Sequence, residues 1–163
     1  MSRRVAFVLV LCLFAIAPAL ASASPALPAW RMQPPFSTET ASLVVDGRVR
    51  VTAEIADTFE TRARGLGYRN GLLPGWGMLF VSPQPAVQTF WMKGMRFCLD
   101  IVWIEGGQIT GAAQNVCPQP GVQDSALTVY SSDIPVTYVL EMPANWMSDN
   151  GLTAGSSVEI TLP

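Results

Sequence analysis

The chain has 163 residues, half of them hydrophobic and only 13% charged, with 10 basic and 12 acidic side chains and no histidine. The missing histidine excludes Ser-His-Asp and Cys-His nucleophilic machinery, histidine-ligated zinc and imidazole acid–base work. The slight acidity argues against nucleic acid and anionic membrane surfaces as partners, since both are bound through clustered positive charge.

The opening MSRRVAFVLVLCLFAIAPALASA places Arg3 and Arg4 before an apolar run from Val5 to Ala17, then small residues at Ala19, Ala21 and Ala23. That order predicts an export signal over residues 1–23, cut after Ala21 or Ala23, because the run is too short to span a bilayer and ends in an A-x-A site. Cys12 raises a lipoprotein alternative, but Leu11 precedes it where a small residue is expected. The expected location is periplasmic or secreted, with no membrane span after cleavage. Loss of Arg3 and Arg4 leaves eight basic residues against twelve acidic, a net charge of −4.

Residues 24–41 contain SPALPAWRMQPPF, whose prolines and lack of periodicity predict an extended arm. Residues 42–163 have the length of one domain. Asp46-Gly47 is a hairpin turn signal, with Leu43–Val45 as one strand. After it Val49, Val51, Ala53 and Ile55 alternate with Arg48, Arg50, Thr52 and Glu54, the period of a half-buried strand. The period then changes: Asp57 or Thr58 caps a short helix with Phe59, Ala63 and Leu66 on its packed face, limited by Gly65 and Gly67. GMLFVSP and TFWMK read as two short strands parted by a proline-bounded turn. CLDIVWIEGGQITGAAQNVCP reads as a hairpin turning at Gly106-Gly107, VTYVLEM as a strand, PANWMSDNG as a helix opened by Pro143, and SSVEITL as a closing strand. The expected class is α+β and β-dominated, one compact domain forming a small barrel or rolled antiparallel sheet with two short helices.

ETRARGLGYRNGLLPGWGMLFVSP, then TFWMKGMRFCLDIVWIEGGQI, then YVLEMPANWMSDNGLTAGSSVEI, resemble the family known as domain of unknown function 192 over about Ser42 to Ile160. The resemblance implies a compact, mostly β fold and no particular activity. This chain has Cys98 where relatives commonly have proline before L-D-I, and Gly94 where they commonly have asparagine after F-W-M-K. The stretch from Gln114 to Pro135 varies among relatives, so nothing is carried onto it.

Two acids stand out because they interrupt apolar strands. Asp100 shares a strand face with Val102 and Ile104, while Leu99, Ile101 and Trp103 take the other, so the carboxyl is buried and needs a partner. Arg64 is the expected partner in a structural ion pair, and a site role for Asp100 is the competing reading. Glu141 shares its face with Val139 and poses the same question. If the two acids share one pocket, they form the pair of a carboxylate-dependent hydrolase. If not, Glu141 binds backbone amides or an arginine. In FWMK successive side chains point oppositely, so Phe90 and Trp91 cannot enter the same layer and one of them lines an open surface beside Lys93.

The leading functional reading is therefore a site for a small or extended polar ligand, such as envelope carbohydrate, built from Arg64, Trp91, Lys93, Asp100 and Glu141. Its rivals are the hydrolase and a purely structural or partner-binding domain. No cofactor or metal is expected. Met92, Met95, Met142 and Met147 admit a copper(I) site but serve equally as core fillers. Export permits a disulfide between Cys98 and Cys117. Paired positions in a hairpin turning at Gly106-Gly107 sum to 213, which sets Cys98 diagonal to Cys117, within reach given a bulge.

Overall fold

The computed structural model describes residues 39–163. The expected export signal and the arm up to residue 38 lie outside the described residues. Nine strands follow: β1 (Thr40–Val45), β2 (Val49–Ala56), β3 (Trp76–Ala86), β4 (Thr89–Trp91), β5 (Leu99–Glu105), β6 (Gln108–Val116), β7 (Val129–Ser131), β8 (Val136–Pro143) and β9 (Val158–Thr161). The short helices are α1 (Phe59–Arg64) and α2 (Trp146–Asp149). Seven strands form one curled sheet in the order β6-β5-β8-β3-β2-β1-β9, a half-barrel, and β4 pairs with β7 in a separate ribbon.

Curling brings the two edges of the large sheet together. Gln108 of β6 bridges Ser157 beside β9, the Ile109 amide donates to the Ser156 carbonyl at 2.9 Å, and the Val158 amide donates to the Gly107 carbonyl at 2.8 Å. The β1–β2 hairpin turns on Asp46 and Gly47, both at positive φ, as the Asp-Gly signal requires. All pairings in the large sheet are antiparallel except β2 with β3, which run parallel because the connection between them crosses over through α1.

Both faces of the sheet are packed. On the concave face residues from every strand meet in one core, among them Leu43, Val51, Ile55, Leu79, Val102, Ile104, Leu140 and Met142, closed by Met147 of α2 and by Leu152. The second face gathers Met78, Phe80, Leu99, Ile101, Trp103 and Val139 with Leu66 and Met92 from the covering segments. Burial on both sides explains the continuous apolar run of β5, whose first six residues are all buried.

Several elements differ from expectation. β1 begins at Thr40, inside the expected arm, and β7 has no counterpart among the expected strands. β3 runs on through Pro83 and Pro85 instead of turning there, because that end is exposed and its pairing with β8 is interrupted between Val81 and Ala86, where no ladder amide is needed. Pro143 ends β8 rather than opening α2, which begins at Trp146. α1 keeps its predicted cap, with the Thr58 hydroxyl accepting from the Thr61 amide at 3.1 Å, but Phe59 is 77% exposed and Ala63 is exposed too. The helix lies at the margin of the second face, so only Leu66 beyond it reaches the core.

The β5–β6 hairpin turns at Gly106-Gly107, and its register slips twice. Glu105 faces Gln108, then Trp103 faces Gly111, then Leu99 faces Val116. Each slip adds one residue to β6, which converts the expected diagonal into a direct cross-strand pair. Cys98 and Cys117 form a disulfide with Cα atoms 4.1 Å apart.

A cleft on the second face

The register of β5 against β8 separates the two acids. Asp100 lies opposite Met142, and Ile101 lies opposite Glu141. Asp100 therefore shares the concave face with Met142, Val102 and Ile104, whereas Glu141 shares the second face with Ile101 and Val139. Two carboxyls on opposite faces of one sheet cannot flank a single bond, so the paired-carboxylate hydrolase loses its geometry.

The expected ion pair between Asp100 and Arg64 does not form either, because Arg64 lies on the second-face side. Asp100 is fully buried, and both oxygens accept backbone amides: Asn115 N–H at 2.8 Å and Met147 N–H at 2.9 Å. Asn115 sits at the bulge of β6 with φ +54, where the ladder offers its amide no partner. Met147 is in the first turn of α2, whose N-cap Asn145 makes no side-chain capping bond. Asp100 supplies from a distant strand the acceptor that a local cap would give. Its role is to fix the bulge and the helix that closes the concave core.

Glu141 has a different environment. It is 5% exposed at the floor of a cleft of about 560 Å³ bordered by α1, the Gly65–Tyr68 segment and the β4–β7 ribbon. Arg64, Trp91 and Lys93 line the same cleft, together with Tyr68, Phe80 and Phe90. Four of the five residues singled out from sequence thus come together, and Asp100 is outside. Glu141 Oε2 meets no hydrogen-bond donor in the described structure. Burial raises its carboxyl from the ordinary 4.5 to about 8, against a smaller lowering by the nearby Arg69 charge. At neutral pH it is mainly the protonated acid, which offers one O–H donor and one carbonyl acceptor.

Beside it lies an ion pair that sequence reasoning missed. Arg69 Nη1 and Nη2 donate to the two oxygens of Glu54 at 2.6 and 2.7 Å. Glu54, Met78 and Glu141 stand in one cross-strand row over β2, β3 and β8, so Arg69 faces both acids but grips only the first. Strict alternation places Glu54 on the polar side of its strand. The signal that could have found it is the run Ala53-Glu54-Ile55-Ala56, in which β2 becomes buried on both faces.

The walls are aromatic. Phe90 packs edge-on against Phe80, with centroids 4.8 Å apart, and tilts against Trp103 at 5.7 Å. Trp91 is 50% exposed and carries the Lys93 ammonium 5.5 Å from its ring centroid. Lys93 also pairs with Asp124 at 2.7 Å, an exposed contact that adds little stability. Tyr68 adopts φ +68 and its amide donates to the Gly94 carbonyl at 2.8 Å. Gly94 is itself at φ +68, and a Cβ there would come within 2.8 Å of the Tyr68 ring, so glycine allows the ring to lie directly on the loop. These four methionines do not gather in one place: Met92 and Met95 pack in the second-face core, Met142 and Met147 in the concave one.

A family model described as DUF192, uncharacterized ACR, matches residues 41–160. The chain belongs to this family. Among solved structures, the DUF192 chain is similar to a Sinorhizobium meliloti 1021 protein described as a candidate transcription regulator, with TM-score 0.67 and 29% identity over 78% of this chain and 96% of that one. It is also similar to a Novosphingobium aromaticivorans DSM 12444 protein of unknown function, with TM-score 0.65 and 25% identity over 83% and 99% of the two chains. No curated protein matches it.

Proposed function

We propose that this DUF192 domain binds a small polar ligand of saccharide type in the second-face cleft. The observation that carries the reading is Glu141: a buried carboxyl at the floor of a cavity, one oxygen without a donor, mainly neutral at pH 7. A buried polar atom left without a partner is costly, and a ligand hydroxyl pair satisfies the donor and the acceptor of a protonated carboxyl together. Trp91 and Tyr68 supply flat apolar surface for the ring of such a ligand, and a cavity of about 560 Å³ admits one or two sugar rings. The regulatory role ascribed to the Sinorhizobium protein gains no support from charge, since the described residues hold seven basic side chains against twelve acidic ones. The export signal read from residues 1–23 would put the ligand in the periplasm or outside the cell, and terminal sequencing of protein from the envelope fraction tests that location.

The binding test is an NMR titration of labelled protein with N-acetylglucosamine and cellobiose. Expected are shifts confined to Trp91, Tyr68 and the β8 amides around Glu141, retained in Glu141→Gln and lost in Glu141→Leu. Absence of shifts at these residues with both saccharides at tens of millimolar would reject the proposal, since even weak lectin-like sites register at about that concentration.

A further inference from the structure

Positive charge is scarce in this protein and unevenly placed. Of the seven basic side chains in residues 39–163, Arg62, Arg64 and Lys93 line the cleft, and Arg69 lies behind it within electrostatic reach of both Glu141 and Arg64. Glu54 is engaged by Arg69 through both oxygens, Asp124 meets Lys93 only as a solvent-exposed pair, and Glu141 is the one acid in the lining. Arg62 spends its guanidinium on the backbone carbonyls of Asp57 and Val81, so its charge stays at the rim without a carboxylate to offset it in those contacts. Partial burial and the like charge of Arg69 both hold Arg64 below the usual arginine range. A negative group entering the cleft relieves that repulsion and meets the cations of its lining.

We infer that the cleft selects acidic sugars, saccharides whose carboxylate or phosphate is met by Arg64 and Lys93 while neutral hydroxyls reach Glu141 and the ring lies on Trp91. The inference rests on the saccharide reading above and adds the charge of the ligand. The two halves of the site divide the labour. A protonated carboxyl repels no anion and binds hydroxyls, and the guanidinium and ammonium supply the charge-assisted contacts that a neutral sugar leaves unused.

Three probes with the same ring separate the possibilities: glucose, glucuronate and glucose 6-phosphate, titrated by NMR or calorimetry at pH 7 and low salt. Both acidic probes are expected to bind about tenfold or more tightly than glucose, the size of one charge-assisted hydrogen bond. That advantage should shrink in 0.5 M salt and disappear in Arg64→Gln, with Lys93→Gln as a second, surface variant that does not threaten folding. Arg48→Gln, remote at the Asn150 carbonyl, should leave it intact. Tighter binding of only one acidic probe assigns the anion as carboxylate or phosphate. Glucose binding as well as either acid would overturn the inference while leaving the saccharide reading standing, and anion preference surviving both Arg64→Gln and Lys93→Gln would overturn it as well. No binding of any probe would overturn both.

Discussion

Asp100 and Glu141 are buried acids on adjacent central strands, one register position apart, yet they do opposite things. Asp100 faces the closed concave core, where both oxygens accept backbone amides. Glu141 faces the open side, where burial is as deep but one oxygen has no donor and the carboxyl gains a proton instead. Burial of an acid therefore does not mark a site. What marks one is burial without satisfaction, beside a cavity large enough to hold the missing partner.

The largest test breaks the satisfied side. Asp100→Ala leaves the Asn115 and Met147 amides buried without acceptors, so denaturant unfolding should show a loss of about 3–5 kcal/mol. Ligand titrations on the surviving folded fraction should change little, because Asp100 lies on the other face. A loss below about 1 kcal/mol would mean that the bulge and α2 do not depend on it.

The disulfide sharpens the same side. Cys98→Ser with Cys117→Ser should lower stability by about 3 kcal/mol, the loop-closure value for cysteines 19 residues apart. Since the Asn115 bulge brings the two cysteines opposite each other and Asp100 holds that bulge, the triple variant should deviate from additivity by more than about 0.5 kcal/mol. Strict additivity would show that the two devices act independently.

The unsatisfied side predicts a pH dependence of definite sign. A carboxyl raised from 4.5 to about 8 by folding contributes stability that is fully present below 4.5 and lost as pH climbs to about 8. Wild-type protein should therefore be less stable at pH 9 than at pH 5, and Glu141→Gln should flatten that slope, exceeding wild type by about 2–3 kcal/mol at pH 9. Equal slopes for the two proteins would place the titration elsewhere. The smallest effect belongs to the rim: Asp124→Asn, which frees Lys93, should change stability by less than about 0.5 kcal/mol while strengthening anion binding.

Much of this was readable because acids in apolar strands are conspicuous. The alternation of β5 and β8 assigned Asp100 and Glu141 to their faces correctly, and the Gly106-Gly107 turn brought the cysteines within reach. The relative orientation of the two faces was not readable, since it depends on how β8 registers against β5, two strands with separate turns. Arg69 and Glu54 escaped for a related reason. β2 reads as half-exposed by alternation, but its last four residues lie under the crossover through α1, and no local period records what covers a strand. Phe59 fails in the reverse sense: its helical spacing is right, but α1 sits at the margin of the sheet and leaves it in solvent.

The pairing of β9 with β1 also bears on the order of folding. The Asp46 carboxyl at the first hairpin accepts from the Ser157 amide, 111 residues away, and Val45 pairs with Val158. Such distant partners must meet before the curled sheet can close, so its first hairpin waits with a bare edge until β9, the last of the described strands, arrives. A nascent chain lacking residues 158–161 should remain open and protease-sensitive along β1, and folding should complete in a single late step once those residues are free to dock.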